Sequence, residues 1–238
     1  MRILITNDDG IEAQGIRLLT EWAKRLGEVT VVAPKVEQSA KSHGIELIRP
    51  IEVKRSSLFD GITAYSVDST PADCVRFGIL GLGESYDLVL SGINKGANIG
   101  IDISYSGTVS AMLEADIHGH KSLAISTFPD TLEEAARHLD MMYAYISENR
   151  LLEKNSIYNV NIPAKVRGIQ ITRQGRSGYT DEFRLVGDDL YKQYGVFLPD
   201  SDKGNRELDD IALYNGYISI TPMTNNKTNN EVFMLLNN

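Results

Sequence analysis

Ile3-Leu4-Ile5-Thr6-Asn7-Asp8-Asp9-Gly10 is a short β-prone run that stops in a turn, and the turn carries two adjacent carboxylates. Arg2–Thr6 reads as a buried strand, and Asn-Asp-Asp-Gly is favourable turn chemistry. Ile11, Gly15, Leu18, Leu19, Trp22 and Leu26 then recur at helical spacing, with Gly27 as a stop. Residues 29–33 form a second apolar strand, ended by Pro34. Strand, helix and strand in this order open a βαβ unit, and a βαβ unit implies a parallel sheet.

The alternation continues outward. Ser69-Thr70-Pro71 opens a helix with a capping hydroxyl and a proline at the first helical position. Residues 87–91 are a third core strand, and Val109, Met112, Leu113 and Ile117 mark another helix. Residues 123–126 are a fourth strand, followed by a helix over residues 132–148. Residues 44–67 interrupt the pattern as antiparallel strands or an extended excursion. After Lys154 the character changes. Ile157–Ile162, residues 168–172 and residues 217–221 read as strands, residues 175–205 are polar and weakly periodic, and the chain ends in a polar tail. The expected fold is α/β, with a Rossmann-like, mainly parallel sheet covered by helices on both faces. Residues 1–153 form the core, and residues 154–238 form a β-rich extension within the same domain. A projecting hairpin there would expose strand edges that need pairing, which points to a homo-oligomer.

A chain of 238 residues with 42% hydrophobic and 24% charged residues is ordinary globular protein. The net charge of −8 argues against binding a nucleic-acid polymer, whose backbone an acidic surface repels. A small phosphorylated substrate stays open if a cation or backbone amides supply positive charge. The single cysteine, Cys74, sits in an apolar segment and reads as a buried, inert thiol. No apolar run approaches the ~18 residues of a membrane span, and the acidic turn comes too early for a signal peptide. The expected location is the cytoplasm, with no membrane partner.

In an open α/β sheet, ligands bind beyond the carboxyl ends of the strands. A dinucleotide-binding fold would place a glycine-rich loop after the first strand; this chain places Asp8 and Asp9 there. Two carboxylates disfavour bound phosphate unless a hard cation lies between. Their alternative role is to cap the following helix. Ser91-Gly92-Ile93-Asn94-Lys95-Gly96-Ala97-Asn98-Ile99-Gly100 follows another core strand, so its amide oxygens should reach the same edge. Ser106-Gly107-Thr108 precedes a helix, where free N–H groups and the dipole favour an anion; Ser106 and Thr108 could equally be simple caps. Ser39, in the loop after Pro34, is a further oxygen ligand candidate. His43 has packing as its more ordinary role, and His118 and His120 are assigned none.

Together these segments resemble the SurE family, the stationary-phase survival proteins that act as 5'-nucleotidases. The resemblance rests on residues 3–10, Val32-Ala33-Pro34 with Glu37-Gln38-Ser39, Thr70-Pro71-Ala72-Asp73-Cys74-Val75, and above all the stretch from Asp87 through Val109. Glu114, Asn159-Val160-Asn161-Ile162-Pro163 and residues 216–222 carry it nearly end to end. The resemblance implies one divalent cation per subunit, Mg²⁺ or Mn²⁺, on Asp8, Asp9, Ser39 and Asn94, with Asp8 and Asp9 catalytic. It implies phosphate binding by Ser106, Gly107 and Thr108, with Asn7, Lys95 and Asn98 as further substrate contacts. The implied activity is hydrolysis of nucleoside 5'-monophosphates, in some members also 3'-monophosphates and short polyphosphates. The implied assembly is a homodimer or homotetramer through the C-terminal extension.

The chain departs from the family pattern at Lys35-Val36, Gly44-Ile45-Glu46 and Ala115-Asp116. None of these is a proposed metal ligand, but the first two border the site. Attack by a water oriented by an aspartate and attack by an aspartate itself both remain open. A nucleotide-binding module that does not hydrolyse its ligand is the competing class. A nicotinamide-dependent oxidoreductase is disfavoured, since no G-x-G-x-x-G follows the first strand.

Overall fold

Strand β1 (Arg2–Thr6) lies inside the large sheet of the computed structural model, which describes residues 1–198 and 204–237. The chain continues through helix α1 (Gln14–Ala23), β2 (Glu28–Pro34), β3 (Val53–Ser56), β4 (Thr63–Val67) and α2 (Pro71–Arg76). A π-helical turn, Phe77–Gly81, precedes β5 (Leu88–Lys95), and a 3-10 turn, Gly100–Tyr105, precedes α3 (Gly107–Ile117). Next come β6 (Ser122–Thr127), α4 (Leu132–Arg137), α5 (Leu139–Glu148), α6 (Leu151–Lys154), β7 (Ile157–Ile162) and β8 (Gly168–Ile171). The hairpin β9 (Gly178–Gly187) and β10 (Leu190–Leu198) follows, then α7 (Asp209–Tyr214), β11 (Tyr217–Pro222) and α8 (Asn230–Leu236).

The main sheet runs β3-β4-β2-β1-β5-β6-β7-β11-β8. Every neighbouring pair from β4 to β7 is parallel; β3 pairs antiparallel with β4, and β11 antiparallel with β7. From β1 the chain first builds outward through β2 and β4. It then returns to the other side of β1 and builds outward through β5, β6 and β7. The reversal between β1 and β5 is the topological switch point, where open α/β sheets form their binding crevice. β1 ends there, with Thr6 facing Ser91 in register, and β5 runs on to Lys95.

Period-two alternation explains the two covered faces. Ile3 and Ile5 pack with Ile16, Leu19, Trp22, Leu139 and Met142, the α1 and α5 side. Leu4 points the other way, to Val32, Val89, Cys74, Val75 and Ala111, the α2 and α3 side. Cys74 is fully buried and its thiol is pushed well above the usual range by that burial, so it is inert. The expected α/β sheet with helices on both faces is present. Thr70 caps α2 as expected, its hydroxyl accepting from Asp73 N at 3.2 Å.

Three local expectations change. Helix α1 begins later than the apolar spacing suggests, because Ile11 N donates to Pro34 O (2.8 Å) and so belongs to the turn. The helix expected over residues 132–148 is two, since His138 N bonds Ala135 O (3.0 Å) in a tighter turn between α4 and α5. The polar tail contains α8, capped by the Asn229 side chain, which accepts from Val232 N at 3.1 Å. Of the polar stretch 175–205, most forms the β9–β10 hairpin, and residues 199–203 lie outside the described residues. Among the described residues no helix is long and apolar enough to cross a membrane.

Candidate functional site

Asp8 and Asp9 leave the end of β1 in a turn held by Asn7, whose Nδ2 donates to Gly10 O at 2.8 Å. Gln38 N donates to Asp8 O at 2.7 Å, which brings the loop after β2 over the same strand end. Next door, β5 shifts register against β6 between Gly92 and Asn94, a bulge that re-aims the following side chain. Gly92 is required there: its φ is +139°, and a Cβ would lie 2.2 Å from Ile125 O. These devices place Asp8, Asp9, Ser39 and Asn94 around one cavity of about 960 Å³. Ser106, Lys95 and Asn98 line it too.

Asp8 is buried, 6% exposed, and its Oδ1 accepts a short hydrogen bond from the Thr108 hydroxyl. Burial pushes its carboxyl up to about 6; the Thr108 hydroxyl and backbone N–H pull down, and the charge of Asp9 pushes up. Asp9 is raised as well, chiefly by burial, although Lys95 N donates to its Oδ2 at 3.0 Å. Asn94 Nδ2 donates to Gly96 O at 2.7 Å, which turns its Oδ1 the other way. Ser39 donates to Glu37 Oε1, leaving its lone pairs for a ligand.

The donor set fits a hard divalent cation. Asp8, Asp9 and Ser39 offer oxygen and Asn94 its amide oxygen, and the two carboxylates are raised chiefly by burial, Asp9 in part offset by Lys95. Among the described residues no three His, Cys, Asp or Glu side chains gather as a metal site; at this cavity the oxygens beside the two carboxylates are those of Ser39 and Asn94.

The N-terminus of α3 reaches the same spot. Ser106 caps it, its Oγ accepting from Val109 N at 3.1 Å. Gly107 permits the close approach, since a Cβ there would meet Asp8 Cβ at 2.9 Å. The Thr108 hydroxyl, expected at the phosphate, is already engaged by Asp8. Asn98 is tied down on all sides: Nδ2 to Ser126 Oγ (2.9 Å), N to Asn161 Oδ1 (2.8 Å), and O to Asn159 Nδ2 (2.8 Å) and Asn161 Nδ2 (2.9 Å). Asn7 is fully buried beneath the turn, while Lys95 is exposed on the cavity rim.

A second cluster lies behind this one and did not emerge from the sequence. Glu114 on α3, 3% exposed, accepts from His43 Nε2 at 2.7 Å, Arg76 Nη1 at 2.9 Å and His118 Nε2 at 3.0 Å. Burial alone would raise Glu114, but the three donors hold it down at about 2. Ser42 Oγ donates to Ser104 O (2.8 Å) and Thr70 Oγ1 to Gly44 O (2.7 Å), so the 34–46 loop is fastened at three points around Ser39. The i,i+4 spacing of Glu114 and His118 was the available signal; His43 and Arg76 carried none. His120 Nδ1 donates to Tyr86 O at 2.9 Å, a packing role.

The family model described as "Survival protein SurE" matches residues 3–181. The chain is 39% identical over 247 residues to a protein named 5'-nucleotidase SurE from Thermoanaerobacter sp. (strain X514), covering 100% of this chain and 97% of that one. It is 37% identical over 242 residues to the protein of the same name from Thermosipho africanus, covering 97% and 94%. The crystal structure of Sure protein from Aquifex aeolicus superposes with a TM-score of 0.82 at 33% identity, covering 99% of this chain and 98% of that one.

Proposed function

The chain belongs to the SurE family, and from that premise we propose that it is a divalent-metal-dependent 5'-nucleotidase, releasing phosphate from nucleoside monophosphates. The observation that carries this reading is the meeting of Asp8, Asp9, Ser39 and Asn94 at one cavity beside the N-terminus of α3. A Mg²⁺ or Mn²⁺ ion held by those four would offset the buried carboxylates and polarise the phosphoryl group. The Ser106 hydroxyl and the Gly107 N–H at the start of α3 take the remaining phosphate oxygens and offset charge as it develops, while Thr108, bonded to Asp8, acts through that carboxylate. Asp9, the more accessible of the pair, would orient the attacking water and take its proton as the new P–O bond forms, and would return a proton to the nucleoside oxygen as the ester P–O bond breaks. Asp8 is fixed by Thr108 and serves as ligand.

The assembly belongs to the same proposal. Hairpin residues Phe183, Leu185 and Val196 and helix residues Phe233, Leu235 and Leu236 are all exposed, which supports a homodimer or homotetramer through the C-terminal extension. A cytoplasmic location suits a chain with one buried free thiol.

The test is phosphate release from a panel of nucleoside monophosphates with Mg²⁺, Mn²⁺ or EDTA, for the wild type and Asp9→Asn. Metal-dependent release that disappears in the folded variant supports the reading. No release from the wild type with any metal would return the site to a binding module.

A further inference from the structure

Strand β7 carries two asparagines among apolar neighbours. Ile157, Asn159 and Asn161 alternate on one face with Tyr158, Val160 and Ile162 on the other, and all six are buried. A strand buried on both faces is ordinarily apolar throughout, and a buried amide costs stability unless it is hydrogen-bonded. Both asparagines reach the same peptide. Beyond Lys95 the chain leaves β5 and passes over β6, where Gly96 N donates to Thr127 O at 2.9 Å. At Asn98 it meets β7. Asn98 N donates to Asn161 Oδ1 at 2.8 Å, and Asn98 O accepts from Asn161 Nδ2 at 2.9 Å and from Asn159 Nδ2 at 2.8 Å.

The sheet register lines these groups up. Asn94 lies opposite Ser126, and Ser126 opposite Asn161, so they stand in one row across β5, β6 and β7. Ser126 Oγ accepts from Asn98 Nδ2 at 2.9 Å. An asparagine amide carries both a donor and an acceptor, so Asn161 pairs both main-chain groups of Asn98 as a neighbouring strand would. Asn159 Oδ1 has no partner among the described residues, so the Asn159 amide is spent on this loop. Only Lys95, Gly96 and Ala97 separate the clasp from Asn94. Gly96 O accepts from Asn94 Nδ2 at 2.7 Å, and Lys95 N donates to Asp9 Oδ2 at 3.0 Å. Gly96 has φ of +151°, where glycine moves freely, so an anchor further along must hold the loop.

We infer that Asn161, supported by Asn159, is a positioning residue: by clasping the Asn98 peptide it holds the Asn94 amide and the Lys95 N–H at the acidic pair. The inference rests on the metal-dependent reading for what Asn94 does, but the hold on the loop stands on its own hydrogen bonds. Neither asparagine touches the cavity. Both act through Asn98, and from there through Gly96 on Asn94 and through Lys95 on Asp9. The cost of burying two amides in β7 is thereby offset at the mouth of β5, where the site needs a fixed loop and the sheet has ended.

The experiment reads amide hydrogen exchange by NMR, without metal, at Lys95 and Gly96, whose own acceptors Asp9 and Thr127 are untouched by the substitutions. Asn161→Ala should speed both amides about tenfold, the effect of one or two lost hydrogen bonds on local opening. Asn159→Ala, which leaves the Asn161 clasp in place and keeps the test open should the first variant not fold, should speed them about fivefold. Ser122→Ala removes a buried hydrogen bond of the same kind at the far end of β6, to Met112 O at 2.8 Å, and should leave both amides as in wild type. Acceleration confined to the Asn98 amide, or equal acceleration in Ser122→Ala, would overturn the inference. The second readout is Mn²⁺ affinity by calorimetry, which Asn161→Ala should weaken about 10–100-fold and Ser122→Ala should not. Affinity within about twofold of wild type would overturn the link to the ligand set, against that expected loss. A wild type that binds no Mn²⁺ would remove the metal-dependent reading alone, and the exchange rates would still decide whether the clasp holds the loop.

Discussion

The Thr108 hydroxyl on the first turn of α3 donates to the Asp8 carboxylate at the end of β1. It joins two elements a hundred positions apart in the chain and fixes one oxygen of the more deeply buried aspartate. The other oxygen, Asp8 Oδ2, accepts no side-chain hydrogen bond from Thr108 and keeps its lone pairs for a ligand. On the proposed reading, the helix offered to phosphate would therefore also orient a metal ligand, and the two halves of the site would not be independent.

Thr108→Val keeps the shape and removes the donor, whereas Thr108→Ser keeps both the cap region and the donor. Groups that orient metal ligands are worth about 10–100-fold in affinity or activity. We expect Thr108→Val to lower kcat/KM or apparent metal affinity by that order and Thr108→Ser to stay near wild type. Steady-state kinetics across a Mn²⁺ titration checks it. Valine and serine variants of equal activity would mean the hydrogen bond is incidental.

Asp8 is a liability to the fold when no cation is bound. Its carboxyl rises from 3.8 unfolded to about 6 folded, so the native state holds the proton more tightly. The sign follows: the native state loses stability as pH rises from about 4 to about 6, and the full penalty, about 3 kcal/mol, stands above that. Asp8→Asn removes the charge while its Oδ1 can still accept from Thr108. In EDTA at pH 7.5 it should be more stable than wild type by about 1–3 kcal/mol and inactive with metal. Urea denaturation of both proteins with EDTA, and again with saturating Mn²⁺, decides it. Mn²⁺ should stabilise the wild type alone.

Much of this site was legible from strand ends. Arg2–Thr6 with Asn7-Asp8-Asp9-Gly10, and the strand before Asn94, are local patterns, and an alternating α/β chain brings such ends to one edge. What was hidden depends on the third dimension. Nothing local says that the Thr108 hydroxyl turns to Asp8, or that Asn98 is held by Asn159 and Asn161 from a strand two places away in the sheet. The Glu114 cluster unites residues 43, 76, 114 and 118 from three elements, and only the last pair has helical spacing. The α8 helix was missed because its flanks are asparagine-rich and its apolar run, Val232 to Leu236, spans only about one and a half turns.

Glu114 offers a test of the opposite sign. Its carboxyl falls from 4.5 unfolded to about 2 folded, despite burial, under the donors His43, Arg76 and His118. A depressed carboxyl stabilises the native state fully above about 4.5, and the contribution is lost as pH falls toward 2. Glu114→Gln should cost about 3 kcal/mol at pH 7, and removing one partner of a buried ionic cluster costs a similar amount. The difference from wild type should hold down to about pH 4.5 and shrink below it. Urea titrations at pH 7, 5, 4 and 3 measure this, and a difference that does not change with pH would assign the loss to packing.

Helix α8 is too short to stand alone in water, where helices under about 12 residues are marginal, and none of its side chains is buried. Leu235 and Leu236 are 77% and 80% exposed. In the proposed homo-oligomer this capped, apolar helix would be covered by the exposed apolar hairpin of a second copy, which matches it in character. Replacing Leu235 and Leu236 with glutamate should therefore reduce the mass measured by light scattering toward that of one chain. Far-UV circular dichroism should lose only the signal of this helix, since none of its side chains is buried. A variant that keeps the wild-type mass would place the interface elsewhere, on the hairpin alone, and the matching substitutions Phe183→Glu and Val196→Glu would then be the ones that dissociate the assembly.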